Sequence, residues 1–232
     1  MLIIVMDTET TGTTAPFDAI ELASLSLGNP ITSYRQLMKP HCPIEPGASN
    51  IHGYFDHDVA HFPPAKESIK AWWEAIKLEA NGREIVICGH NTIFDIKVVA
   101  QHIPEITQYK RICTLRMGRA LLDKHIVGNH RLPTLYKYLG CTTARNAHTA
   151  LDDCKMTYDI LLKMLPIANQ SLLELIEFQN NYQLLNKVRF GERNIGKLYS
   201  EVTHSDLRWM VDNLTDPDVI YTAKYYLNGG KA

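Results

Sequence analysis

The sequence predicts an α/β domain built on a mixed β-sheet flanked by helices, followed by a small C-terminal module. Three observations predict it. Apolar, β-branched runs come first in close succession, as in a meander, and then alternate with helical stretches, as in crossover units. The 232 residues, 45% hydrophobic and 21% charged, are enough to bury one good core and leave a small module over. After Pro166 the pattern changes, which divides the chain into a domain over residues 1–165, a connecting helix over 166–186 and a module over 187–232.

Each element has its own signal. Residues 2–6 form a buried strand closed by the turn Thr10-Thr11-Gly12, and residues 20–27 and 33–38 give the next two strands. A proline-rich connection (Pro40, Pro43, Pro46) leads to a helix from Ala65 to about Ala80. Residues 85–88 are a fourth strand, followed by a helix from about Phe94 to His102, and residues 110–113 supply the fifth. Helices then fall near 115–122, 132–139 and 149–165. Residues 170–185 read as an amphipathic connecting helix. The tail carries turn glycines at Gly191 and Gly196 and a helical segment around 206–210, and should dock or close on a few aromatics.

Composition narrows the setting. Five cysteines without a C-x-x-C pair suggest reduced thiols. The first apolar run, Leu2 to Met6, is too short for a signal peptide or a membrane span, so the expected location is cytoplasmic. The net charge of -1 hides a split. Residues 1–63 carry seven acids against two bases, whereas residues 97–145 carry nine bases against two acids. Solvated helix faces explain such a split equally well. Beside a set of carboxylates it favours a metal centre with a basic rim for a polyanion.

That set spans three segments. Asp7 and Glu9, two apart on a strand, project together. Asp95 follows Gly89-His90-Asn91, where a strand gives way to a helix; alone, it also fits an ordinary helix N-terminal acid. On the helix after Thr149, the stripe Ala150, Asp153, Thr157, Ile160 and Met164 should face the sheet, while Asp152, Lys155, Asp159 and Lys163 should face water. Asp153 therefore points inward and Asp152 outward. His148, just before this helix, is placed to bring an imidazole to an attacking water. Carboxylates brought together need a cation, and hard oxygen ligands suit Mg²⁺ or Mn²⁺.

Asp7-Thr8-Glu9, His90-Asn91-Thr92-Ile93-Phe94-Asp95 and His148-x4-Asp153 resemble the three motifs of the histidine-type DEDD exonucleases, and Ile112 to Leu122 resembles the segment between the second and third. In the tail, Arg189-Phe190-Gly191, Gly196-Lys197 and Asp206-Leu207-Arg208-Trp209-Met210 resemble the short C-terminal module found in part of that family, with Glu192 standing where a lysine commonly follows. The resemblance implies a ribonuclease H-like fold with a five-stranded sheet, and 3′→5′ hydrolysis that releases 5′-nucleotides. It implies two divalent cations, Mg²⁺ or Mn²⁺, with Asp7 shared, Glu9 and Asp153 completing one site and Asp95 supporting the other. His148 would be the general base.

The expected substrate is DNA with a free 3′ end, single-stranded or at a duplex end, in repair or recombination. RNA ends, or service as a polymerase-associated subunit, are the alternatives. Substrate contact is expected at Thr8, Thr10 and Thr11, at Phe17 in the following loop, and at His90 and Asn91. Residues 187–232 are expected to serve the substrate or a docking partner. His57 and His61 have the spacing of a zinc pair but read as a surface loop, and Trp72-Trp73 reads as core packing ahead of a base-stacking platform.

Overall fold

The computed structural model describes residues 1–142, 149–181, 184–214 and 216–230. The chain divides into two compact units, Met1–Gln179 and Asn180–Ala232.

The first unit holds a five-stranded mixed sheet of order β3-β2-β1-β4-β5. β1 (Leu2–Thr10), β2 (Ala19–Ser26) and β3 (Thr32–Leu37) form an antiparallel meander, and β4 (Ile85–Gly89) and β5 (Lys110–Cys113) add in parallel on the other side of β1. Between β3 and β4 lie α1 (Pro46–His52), α2 (Asp56–Val59) and α3 (Ala65–Ala80), and α4 (Thr92–Ala100) links β4 to β5. After β5 come α5 (Thr114–Leu121), α6 (Lys124–Val127), α7 (Leu132–Tyr138), α8 (Ala150–Ala168) and α9 (Leu172–Asn180).

The two-residue period of β1 sorts its side chains onto two cores. Ile3 and Val5 join Ala23, Leu25 and Val86 against the Cys154, Ile160 and Met164 side of α8. Leu2, Ile4 and Met6 face α3 and α4 through Ile69, Trp72, Trp73, Ile96 and Val99. Each such buried aliphatic side chain contributes about 1.5–3 kcal/mol. Trp72 and Trp73 are therefore core residues, and Trp72 Nε1 also donates to Ser24 Oγ at 3.0 Å.

Two boundaries differ from expectation in ways that matter. β1 continues past Met6 to Thr10 because Asp7 to Thr10 keep pairing with β2, whereas its register with β4 ends at Val5 opposite Cys88. The chain ends of the parallel strands thus part beside Asp7 to Glu9, which is where α/β sheets place their sites. α8 carries Pro166 within its last turn and runs to Ala168, capped by Asn169, and the helix after it, α9, buries Leu175 and Ile176 in the α8-side core.

The second unit closes on Val188, Tyr199, Leu207, Met210 and Val219. A hairpin, held by Val188 N–H to Lys197 O (2.9 Å) and Gly196 N–H to Val188 O (2.8 Å), precedes α10 (His204–Asn213) and α11 (Pro217–Leu227). Gly191 and Gly196 take positive φ angles of 74° and 84°, the left-handed region where glycine is favoured. Among the described residues, no helix is long and apolar enough to cross a membrane.

Candidate active site

β1 supplies the first two carboxylates. Asp7 and Glu9 lie on the same strand face as Ile3 and Val5, the face covered by α8. Thr149 caps α8, its Oγ1 accepting from Asp152 N–H at 3.3 Å, and Cys154 Sγ lies 3.3 Å from Ala23 O, directly across from Asp7 in the register. Those contacts set the first turn of α8 over the strand end. One carboxylate oxygen from each of Asp7, Glu9 and Asp153 lies within 4.8 Å of the other two.

Asp95 arrives from the opposite side, on the first turn of α4. Gly89 lets β4 approach closely, since a Cβ there would stand 3.2 Å from Met6 O. Asn91, at φ 69°, turns the chain into α4. Where β1 has left β4, the Thr8 N–H donates to Asp95 Oδ1 at 3.0 Å and the Thr8 hydroxyl donates to the same oxygen at 2.8 Å. Thr8 is therefore the residue that fixes Asp95.

The electrostatics follow from burial and crowding. Burial, then the charges of Asp95, Asp153, Glu9 and Glu21, push Asp7 well above the usual carboxylate range. Burial and then Asp153, Glu21 and Asp95 push Glu9 up to about 8. Asp95 rises to about 7, mainly through burial, with the Thr8 hydrogen bonds pulling the other way. Three carboxylate oxygens that repel one another at this spacing fit a hard divalent cation.

This gives a signed expectation for stability. The unfolded chain releases the Glu9 proton near its ordinary value of 4.5, whereas the native chain keeps it to about 8. The native state binds more protons across that window, so without metal its stability falls as pH rises. Burial lowers the pKa values of His52 and His90, which acts in the opposite direction but only below about pH 6.5. In chelator, the melting temperature should therefore fall between about pH 7 and about pH 8, and Mn²⁺ should restore it. Glu9→Gln should flatten the fall; a rise over that interval in the wild-type protein would contradict the reading.

The other expected site residues are distributed as follows. Thr10 Oγ1 donates to Gly12 O at 2.8 Å, and Thr11 Oγ1 accepts from Asp18 N–H at 3.0 Å, so both hydroxyls close the turn after the strand. Phe17 is half-buried and stacks on Phe94, with ring centroids 6.0 Å apart, at the edge of an exposed loop. His90 Nδ1 lies 2.9 Å from Thr114 Oγ1, and burial pushes its pKa down to about 4, so the ring is neutral. Asn91 is exposed. His148 lies outside the described residues.

Asp152 needs a correction. It is only 9% exposed and pairs with Lys155 Nζ at 2.9 Å, because α8 is flanked by α5 and α7 as well as by the sheet. Asp153 remains the neighbour that meets Asp7 and Glu9. Among the described residues, His57 and His61 belong to no metal-binding group; His57 stands 3.3 Å from Asp58 on the short α2.

Sequence reasoning missed two groups. Asp18, 1% exposed, receives His41 Nδ1 at 2.6 Å and His102 Nε2 at 2.8 Å, tying the loop after β1 to the end of α4. Partners so distant along the chain leave no local signal. Glu21 is fully buried in β2, and a signal did exist: it is the one charged residue in the stretch Ala19 to Leu27.

An acidic cluster where parallel strands part, on a mixed five-stranded sheet, is an arrangement that suits hydrolysis assisted by a divalent cation. The exonuclease family model (RNase_T) matches residues 4–161, and the chain belongs to that family of DEDD-type 3′–5′ exonucleases. It is 28% identical over 231 residues to Exodeoxyribonuclease 10 of Escherichia coli K12, covering 96% of this chain and 97% of the relative, so the likeness runs through both units. DNA polymerase III subunit epsilon of Haemophilus influenzae is 30% identical over 181 residues, covering 69% of this chain and 66% of that protein. The solved structure of exonuclease X in complex with 5′ overhanging duplex DNA superposes with a TM-score of 0.60 at 24% identity, over 77% of this chain and 99% of that one. That likeness shows the ribonuclease H-like fold.

Proposed function

We propose that this 3′–5′ exonuclease acts on DNA, removing 5′-mononucleotides from single-stranded or duplex 3′ ends in repair or recombination. The observation that carries the choice of DNA is the alignment with an exodeoxyribonuclease across both units. Asp7, Glu9 and Asp153 would hold one divalent cation, Mg²⁺ or Mn²⁺, and Asp7 with Asp95 would serve a second. Such a pair of cations stabilises the entering and leaving oxygens of an in-line displacement.

The chain's own groups do the rest. Thr8 keeps Asp95 in place. His148, two residues ahead of α8, takes the proton of the attacking water. The neutral His90 and the turn at Asn91 shape the start of α4, beside which the terminal nucleotide would lie. The loop of residues 13–18 leaves the same strand end as Asp7 and Glu9, so Phe17 would lie beside the substrate. Residues 187–232 serve longer substrates or a docking partner; their seven bases against six acids make a poor general polyanion trap.

Phe17→Ala should weaken action on duplex ends roughly 10-fold, the scale of one lost base-stacking contact, and affect single strands less. Equal loss on both, with a lower melting temperature, would make Phe17 a core residue only. Matched DNA and RNA oligonucleotides of one sequence test the substrate class. DNA should be degraded faster; RNA degraded as fast or faster would overturn the proposal.

A further inference from the structure

Glu21 stands in β2 directly opposite Glu9 in the antiparallel register. Side chains at opposed positions lie side by side, and like charges there are destabilising. Glu21 is nevertheless 0% exposed. Its Oε1 accepts from Arg35 Nε, and Arg35 in turn donates from a terminal nitrogen to Tyr54 Oη at 2.8 Å. Its Oε2 is buried and has no hydrogen-bond partner among the described residues.

A buried carboxylate oxygen without a donor is costly, and an apolar residue of similar shape would brace the sheet without that cost. The charge of Glu21 acts on the site, being among the groups that raise both Glu9 and Asp7. Its oxygen lies beyond the group formed by Asp7, Glu9 and Asp153, so it is no direct ligand of that group. Its unmet capacity is to accept a hydrogen bond.

We propose that Glu21 is a positioning residue of the metal centre, its free Oε2 accepting a hydrogen bond from water in the hydration shell of the cation held by Asp7, Glu9 and Asp153. The Arg35–Tyr54 arm fixes the orientation of that carboxylate. The inference rests on the reading of those three acids as metal ligands, and the test separates the two.

Mn²⁺ is titrated calorimetrically into the wild-type full chain, Glu9→Gln, Glu21→Gln and Glu21→Met, with the melting temperature of each measured in chelator. Both Glu21 variants should bind Mn²⁺ about 10–100-fold more weakly, the usual effect of losing an outer-shell partner, without a lower metal-free melting temperature. Wild-type affinity in either folded variant overturns the proposal. So does loss of folding in both, which would make Glu21 a brace of the sheet. If Glu9→Gln binds Mn²⁺ as the wild type does, the ligand reading itself fails, whatever the Glu21 variants show.

Discussion

Asp7→Ala should lower the hydrolysis rate by about 10³-fold or more, beyond the 10–100-fold typical of losing an outer-shell partner of a metal. Asp7 is the carboxylate on which the charges of Asp95, Asp153, Glu9 and Glu21 converge, and on the proposed reading its removal would strip the centre of its shared ligand. The same loss should relieve repulsion, and the metal-free protein should melt no lower than the wild type. Glu9→Ala and Asp153→Ala should behave alike. Asp95→Ala should also be inactive but differ in stability: it leaves the Thr8 N–H and hydroxyl buried without their acceptor, at a cost of about 1–3 kcal/mol. Asp95→Asn would keep an acceptor and recover much of that stability. Asp152→Ala should retain most activity, since Asp152 pairs with Lys155 and stands outside the group formed by Asp7, Glu9 and Asp153. Rates with Mn²⁺ and melting curves in chelator check all of these together. An inactive Asp152→Ala with an active Asp153→Ala would reverse the assignment of the helix face.

His148→Ala carries the second large effect, a rate lower by roughly 10²–10⁴-fold, the range of a positioned general base. Metal affinity should stay close to that of the wild type, because Asp7, Glu9 and Asp153 form their group without it. A calorimetric titration showing equal loss of Mn²⁺ binding would make His148 a ligand.

The elements with strong periodicity were legible from sequence. The helix at Ala65–Ala80 falls where predicted, since it combines an amphipathic period with Pro63-Pro64 before it and Asn81-Gly82 after it, and the short strand at Lys110–Cys113 also lies where it was expected. Inward-facing Asp153 was readable because Ala150, Thr157, Ile160 and Met164 leave one stripe of α8 free of charge. Short helices such as Pro46–His52 and Asp56–Val59 were not, since they lack a full amphipathic turn and are set by tertiary contacts. Asp152 was misjudged because a two-sided view of a helix omits α5 and α7. Pro217–Leu227 was overlooked although Asp216 caps it and Pro217 occupies its first turn. The role of Thr8 could not be read, because its partner is 87 residues away.

The most direct test of the account is a time course on a 5′-labelled single-stranded DNA oligonucleotide with Mn²⁺, with and without chelator, for the wild type and Asp153→Ala. The predicted result is a ladder that shortens stepwise from the 3′ end, with free 5′-mononucleotides as product, abolished by chelator and by the substitution. A labelled strand that stays intact with Mn²⁺ or Mg²⁺, or that loses its label first from the 5′ end, would contradict it.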